Sequence, residues 1–232
     1  MEHLNNYIIT TANEQHLYFA EIICDEMASS AQARGTGIAK RTPEYVSEKI
    51  KEGKAVIALT KDGEWAGFCY IETWGHGQYV ANSGLIVATK FRKGGLAKAI
   101  KKKIFELSRT KFPESKIFGL TTGLAVMKIN SELGYEPVPY SELTDDEEFW
   151  KGCRSCVNFE ILQSKERKNC LCTAMLYDPA EKEKPQKKFW NFAKNSKLYE
   201  RFMKIKEITL MKKKENGQET EKKKSLITFF NF

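Results

Sequence analysis

The chain has no long apolar run. The longest, such as "AVIAL" at 55–59, fall far short of the roughly 20 residues that a membrane-spanning helix needs. Its opening, "MEHLNNYIIT", lacks the basic-then-apolar pattern of a secretion signal, so a soluble, cytoplasmic protein is expected. No internal repeat is present, which argues against a repeat array. Both the glycine fingerprint G-x-G-x-x-G and the lysine-bearing P-loop pattern are missing, and with them the usual signatures of dinucleotide and nucleoside-triphosphate sites. Residues 1–179 also lack net charge, having 23 Lys+Arg and 23 Asp+Glu. The formal +8 of the chain therefore belongs wholly to residues 180–232, and nucleic acid is not an expected partner of the body.

What is present suffices for one good core: 232 residues, 41% of them apolar and 12% aromatic. The patterned sequence ends near "YDPAEKEKPQ", which divides the chain into a body, 1–179, and a basic tail, 180–232. The tail mixes lysine clusters with Phe189, Trp190, Phe192, Tyr199 and Phe202. It reads either as a solvated, partly helical or disordered appendage or as an arm for an anionic surface, RNA or a partner.

Within the body the elements alternate. Tyr7 to Thr11 reads as a strand, and Glu14 to Met27 as a helix with Leu17, Ala20, Ile23 and Cys24 at helical spacing. "RTPEYVSEKIKEG" is a helix with Thr42 as its cap, Pro43 in the first turn and Gly53 beyond its end. "AVIALT" and "EWAGFCYIET", joined through Asp62 and Gly63, form a hairpin. A strand from about Val80 to Val87 follows. Then come a helix from Gly95 to Lys111, a strand from Lys116 to Leu120, a helix from Ala125 to Leu133 and a short strand in "GYEPV". This order predicts a mixed α/β layered domain.

One junction stands out, "GLIVATKFRKGGLAKAI" at 84–100, where a strand leads through two glycines into a helix. Such a junction aims free backbone N–H groups and the positive end of the helix dipole at one spot, which suits an anion. Gly94 and Gly95 let the backbone approach, and Arg92 and Lys93 add charge-assisted bonds fitted to a pyrophosphate. An ordinary turn with solvated cations is the alternative.

Arg92, Gly95 and Ala97 fit the pattern Arg-x-x-Gly-x-Ala, and here the sequence resembles the acyl-CoA-binding motif of the GNAT N-acyltransferases. Over roughly residues 30–178, "GIAKRTPEYVSEKI", "FRKGGLAKAI" and "LTTGLAVMKINSELGYEPV" occur in an order similar to the acetyltransferase domain of bacterial N-acetylglutamate synthases. The body is more similar still to small stand-alone GNAT proteins of arginine biosynthesis. The resemblance implies a GNAT fold with acetyl-CoA or succinyl-CoA as cosubstrate. It also implies a small-molecule amino-acid acceptor such as glutamate, whose α-amine attacks the thioester. Leu85, Ile86 and Val87 would hold the pantetheine arm and polarise the carbonyl, and the turn Arg92, Lys93, Gly94, Gly95, Leu96 and Ala97 would hold the pyrophosphate. Lys40 and Arg41, similar to a basic stretch in the family's acceptor region, would bind acceptor carboxylates, the alternative being two solvated cations at a helix start. Another amine acceptor, such as a polyamine or a protein N-terminus, and a non-catalytic acyl-CoA sensor stay open, as does a homodimer.

The catalytic positions depart from the family's usual ones. Where many members carry a carboxylate on the central strands the chain has Asn82 and Ser83, and where many carry an acidic tyrosine it has Asn130. A water relay, or a nearby group such as Glu72 or His76, could deprotonate the amine, the alternative for both residues being an exposed place at a strand end or in a loop.

Six cysteines without a secretion signal read as thiols or metal ligands. Cys153 and Cys156 (C-x-x-C) with Cys170 and Cys172 (C-x-C) have the ligand types of a structural zinc site, provided that "VNFEIL" and "CLCTAMLY" pair as a hairpin whose turn brings them together. Buried thiols are the alternative, and Cys24 and Cys69 fit that description.

Overall fold

The computed structural model describes residues 2–34 and 41–183. Lys40 and residues 184–232, which hold nearly all of the basic tail, lie outside the described residues. The elements run β1 (Tyr7–Thr11), α1 (Ala20–Arg34), α2 (Pro43–Lys51), β2 (Ala55–Thr60), β3 (Trp65–Trp74), β4 (Tyr79–Val87), α3 (Leu96–Lys111), β5 (Lys116–Thr121), α4 (Leu124–Glu132) and β6 (Glu136–Pro137). They continue with α5 (Glu147–Lys151), α6 (Phe159–Ser164), β7 (Thr173–Tyr177) and α7 (Pro179–Glu183). This is the expected mixed α/β class: a seven-stranded sheet in the order β1-β2-β3-β4-β5-β7-β6. Among the described residues no helix is long and apolar enough to cross a membrane.

Local chemistry accounts for most boundaries. Thr42 caps α2 by accepting from the Tyr45 N–H at 3.3 Å, Pro43 occupies the first turn, and Gly53 takes φ +61° just past the end. Gly63, at φ +82°, closes the β2–β3 hairpin. The helix expected from Glu14 to Met27 divides differently. Asn13 accepts from the Gln15 N–H while His16 Nδ1 accepts from the Asn13 N–H, and this reciprocal cap holds Glu14–Phe19 as a 3-10 turn. The α-helix starts at Ala20 and runs seven residues past Met27 to Arg34.

Alternation along the strands sends side chains to two faces. On one, Ile57, Phe68, Tyr70 and Ile86 pack with Ile23 and Met27 of α1 and Val46 and Ile50 of α2. On the other, Val56, Cys69, Ile71, Val80 and Ile117 pack with Leu96, Ile100 and Ile104 of α3. Residues 140–172 extend the first face over β5 and β7, where Tyr140, Leu143, Trp150 and Leu162 bury Phe118, Ala174 and Leu176.

A polar chain crosses the α3 face. The Tyr135 hydroxyl donates to Asn82 Oδ1 at 2.9 Å, the Asn82 amide donates to Ser108 Oγ at 2.7 Å, and Ser108 donates to the Ile104 carbonyl at 2.8 Å. All four residues are buried, so each link replaces a lost water contact. Tyr135→Phe orphans the Asn82 carbonyl oxygen and is expected to cost about 1–3 kcal/mol in urea unfolding. An unchanged midpoint would show that Asn82 finds another donor.

Candidate active site

β4 and β5 run parallel but pair only at Tyr79–Lys116, Val80–Ile117 and Ala81–Phe118. Beyond Ala81, β4 continues to Val87 without β5, while β5 stays paired with β7 through Gly119, Leu120 and Thr121. The sheet therefore opens into a V closed at Ala81, along which six residues of β4 extend for about 20 Å. The β5-facing edge of this segment, to which Leu85 and Val87 belong while Ile86 between them pairs with Phe68 of β3, is covered by no strand.

A bulge shapes that edge. Ser83 pairs with Tyr70 and Ile86 with Phe68, so Gly84 and Leu85 together oppose Cys69. Gly84 has φ +63°, and a Cβ placed there would lie 2.3 Å from the Tyr70 ring and 2.9 Å from Met27 Cε. The strand expected from Val80 to Val87 contains this glycine, but only the register shows that it is a bulge.

The junction ahead of α3 stands at the open end of the V. Lys93 takes φ +70° and Gly95 φ +82°, and Gly95 caps α3 without a side-chain hydrogen bond. The Lys98 and Ala99 N–H groups donate to the Gly95 carbonyl, those of Leu96 and Ala97 have no acceptor among the described residues, no acidic residue stands in that turn, and a Cβ at Gly94 or Gly95 would meet open space. Lys93, Gly94 and Gly95 are exposed and Leu96 is buried beneath them. Arg92 is used differently from the expectation. Its Nε donates to the Val87 carbonyl at 3.0 Å, and its Nη2 donates to Glu26 Oε1 at 2.8 Å and Ser30 Oγ at 2.5 Å. The guanidinium thus ties the end of β4 to α1.

On the α2 face, next to the closed end, lies a cluster that the sequence did not reveal. Arg41 Nε donates to the Tyr70 hydroxyl at 2.6 Å, and its guanidinium carbon stands 5.2 Å from the Tyr45 ring centre. Lys49 Nζ stands 4.9 Å from the same ring and 3.3 Å from Glu72 Oε2. Glu72 is only 6% exposed, contrary to its reading as an exposed strand end, and its Oε1 is buried without a hydrogen-bond partner among the described residues. Burial pushes its carboxyl up to about 7, against the pull of Arg41. Tyr70 faces Ser83 and Glu72 faces Ala81 across the β3–β4 ladder, which sets the cluster beside the point where the V closes.

The other sequence candidates are dispersed. Ser83 is partly exposed on β4, and Asn82 belongs to the buried polar chain. Asn130 is 1% exposed on α4, with its Nδ2 3.7 Å from Met175 Sδ and its Oδ1 unpartnered among the described residues. His76 is exposed in the β3–β4 connection, at the opposite end of β4 from the mouth of the V.

The expected cysteine hairpin is not formed, because Phe159–Ser164 is the helix α6, which buries Leu162 against the sheet. Cys153, Cys156, Cys170 and Cys172 nevertheless line one small cavity of about 30 Å³ with Leu120, Tyr140 and Leu162. Burial pushes the Cys153 thiol up to about 11 and the Cys172 thiol up to about 12. The zinc expectation finds no support: no group of three or more His, Cys, Asp or Glu among the described residues is arranged to hold a metal ion. Cys69 is fully buried and Cys24 half-buried, in keeping with packing roles.

Neither a protein-family model nor a curated protein matches the sequence. Solved structures do. N-acetylglutamate synthase from Neisseria gonorrhoeae, complexed with coenzyme A and N-acetyl-glutamate, is 17% identical with a TM-score of 0.52 over 74% of this chain and 35% of that one. The chain thus spans about a third of that synthase. Rv2747 from Mycobacterium tuberculosis, in a complex with CoA, is 15% identical with a TM-score of 0.53 over 74% of this chain and 98% of that one. Diaminobutyrate acetyltransferase from Paenibacillus lautus, in complex with L-2,4-diaminobutyric acid and coenzyme A, is 10% identical with a TM-score of 0.50 over 75% of this chain and 95% of that one. At these identities the likeness speaks for architecture, and the chain has the fold of the GNAT acetyltransferases.

Proposed function

We propose that the chain is a cytoplasmic acyl-CoA-dependent N-acyltransferase that moves an acetyl or succinyl group to the α-amine of glutamate or a related amino acid, as the resemblance to arginine-biosynthetic GNAT proteins implies. The observation that carries this reading is the V between β4 and β5, with an anion-ready helix start at its mouth and a cationic, aromatic cluster around a buried carboxylate at its closed end. The pyrophosphate of the donor rests on the first turn of α3 with Lys93 beside it. The pantetheine arm runs down the uncovered edge of β4, and the thioester comes to lie near the bulge.

The acceptor enters from the α2 face. Arg41 and Lys49, the latter paired with both Glu72 and Glu52, place two cations beside Glu72, and the guanidinium fork of Arg41 suits a carboxylate-bearing acceptor such as glutamate better than a polyamine. Glu72 takes a proton from the acceptor ammonium, directly or through a water, and the free amine attacks the thioester carbonyl carbon. The developing oxyanion is met by peptide N–H groups of the β4 edge. The C–N bond forms as the C–S bond breaks, and a second proton leaves the nitrogen as the departing thiolate is neutralised. Asn130 brings no ionisable group to that last step, so positioning carries most of the rate.

Arg41→Ala tests the acceptor assignment. The KM for glutamate is expected to rise by about 10- to 100-fold, the loss of one charge-assisted carboxylate contact, with acyl-CoA affinity within about twofold of the parent. An equal fall in acyl-CoA affinity would show that Arg41 serves the fold or the donor instead.

A further inference from the structure

Lys101 is the one polar intrusion into the buried stripe of α3 that nothing in the polar chain satisfies. The buried positions of this helix are Leu96, Ile100, Lys101, Ile104 and Ser108. Ser108 is absorbed by its bonds to Asn82 and Ile104. Lys101 is 2% exposed and has neither a hydrogen bond nor an ion pair among the described residues. Its Nζ stands over the Tyr135 ring, 5.2 Å from the centre, with the Cys69 thiol nearby. Polar groups buried this deeply are nearly always paired, and a charge more so, because desolvation is otherwise uncompensated.

Its place in the fold indicates what supplies the missing partner. The Tyr135 hydroxyl is bonded to Asn82, the first residue of β4 beyond its last pair with β5. Lys101 therefore sits at the closed end of the V on the α3 face, with Glu72 and Arg41 beside the same end on the α2 face. A donor whose pyrophosphate rests at the mouth extends its acyl group toward this closed end. The acceptor amine and the far end of the acyl chain would then reach the thioester from opposite faces of the sheet.

We propose that Lys101 recognises a carboxylate at the far end of the acyl group, so that the donor is a dicarboxylic monoacyl-CoA of the succinyl type and not acetyl-CoA. This rests on the acyltransferase reading above and narrows its donor. The titratable groups beside the amine are the Cys69 thiol of β3 and the Tyr135 phenol. Burial holds both thiol and phenol in their neutral forms, the thiol pushed up to about 11 and the phenol well above its usual range, so neither offsets the ammonium. Burial brings Lys101 down to about 8, which leaves it mainly cationic at neutral pH and neutral by pH 9.

The test is calorimetric titration of the full chain with succinyl-CoA and with acetyl-CoA, without acceptor. The parent is expected to bind succinyl-CoA about 10- to 100-fold more tightly at pH 7, the range of one charged hydrogen bond. That preference should shrink as pH rises from 7 to 9, a readout that needs no substitution. Lys101→Met should abolish the preference while leaving acetyl-CoA affinity within about threefold, and Lys101→Arg should keep part of it. Thermal melting of the Met variant reports its folding, which a neutral side chain of similar length should preserve. Equal affinities for the two donors in the parent, or an equal loss of both in a folded Met variant, would overturn the proposal and leave the acyltransferase reading standing. Failure to bind either acyl-CoA would instead overturn that reading.

Discussion

Glu72→Gln is expected to lower kcat/KM for the acceptor by about 100- to 10,000-fold, the usual contribution of a positioned general base, with acyl-CoA binding unchanged. The amide keeps the shape and can still accept from Lys49, but it cannot take the proton. A pH profile separates this role from simple packing. In the parent, the carboxyl is held up to about 7, chiefly by burial, so its base form grows in and the rate climbs as pH rises through that value. The Gln variant should lose this limb. Stability moves the other way: a carboxyl raised above its unfolded value favours the fold below the unfolded value, and the contribution is lost as pH rises through about 7. The variant should therefore lose less stability than the parent between pH 6 and 8. A Gln variant that keeps parental turnover with the same pH limb would remove Glu72 from the chemistry.

Gly84→Ala is expected to be strongly destabilising. The added Cβ would meet Tyr70 at 2.3 and 2.8 Å and Met27 at 2.9 Å, and the position requires φ +63°. Tyr70 is 1% exposed and its hydroxyl is bonded to Arg41, so its ring has little room to withdraw. Either the bulge flattens or α1 shifts. Overpacking and the left-handed backbone together should cost about 3 kcal/mol, read from urea unfolding. The fraction that stays folded should turn over poorly, because the bulge shapes the edge of β4 proposed to face the thioester and adjoins the ring whose hydroxyl is bonded to Arg41. Gly94→Ala is the contrasting control. Its added carbon meets open space, so stability should change by less than about 0.5 kcal/mol. A Gly84→Ala protein as stable and active as the parent would mean that the bulge is not needed.

The sequence was informative where one local pattern decides the structure. The Thr-Pro start and Gly end of α2, the Asp-Gly turn and the glycine pair before α3 each impose a backbone state through their own chemistry, and each is found where expected. What depends on register or on packing at a distance was not readable. Glu72 looked like the exposed end of a strand. Only the pairing of β3 with β4 and the approach of α2 bury it beside Lys49. Arg92 looked like a phosphate ligand, yet the packing of α1 brings Glu26 to its guanidinium, and the extension of that helix past Met27 adds Ser30. "VNFEIL" carries apolar residues that suit a short strand as well as a helix. The structure chooses the helix, burying Leu162 and half-burying Phe159, three residues apart. Lys101 is hidden in the run Lys101, Lys102, Lys103, which reads as a solvated face until the buried stripe of α3 is known.

The most direct measurement is the rate of free-CoA release by the purified chain, with acetyl-CoA or succinyl-CoA offered against glutamate, other amino acids and polyamines. The proposed function predicts release that depends on an acidic amino acid, rises with pH through about 7 and is absent with polyamines. Acyl-CoA that binds without any amine stimulating release would contradict the enzyme and leave an acyl-CoA-binding module.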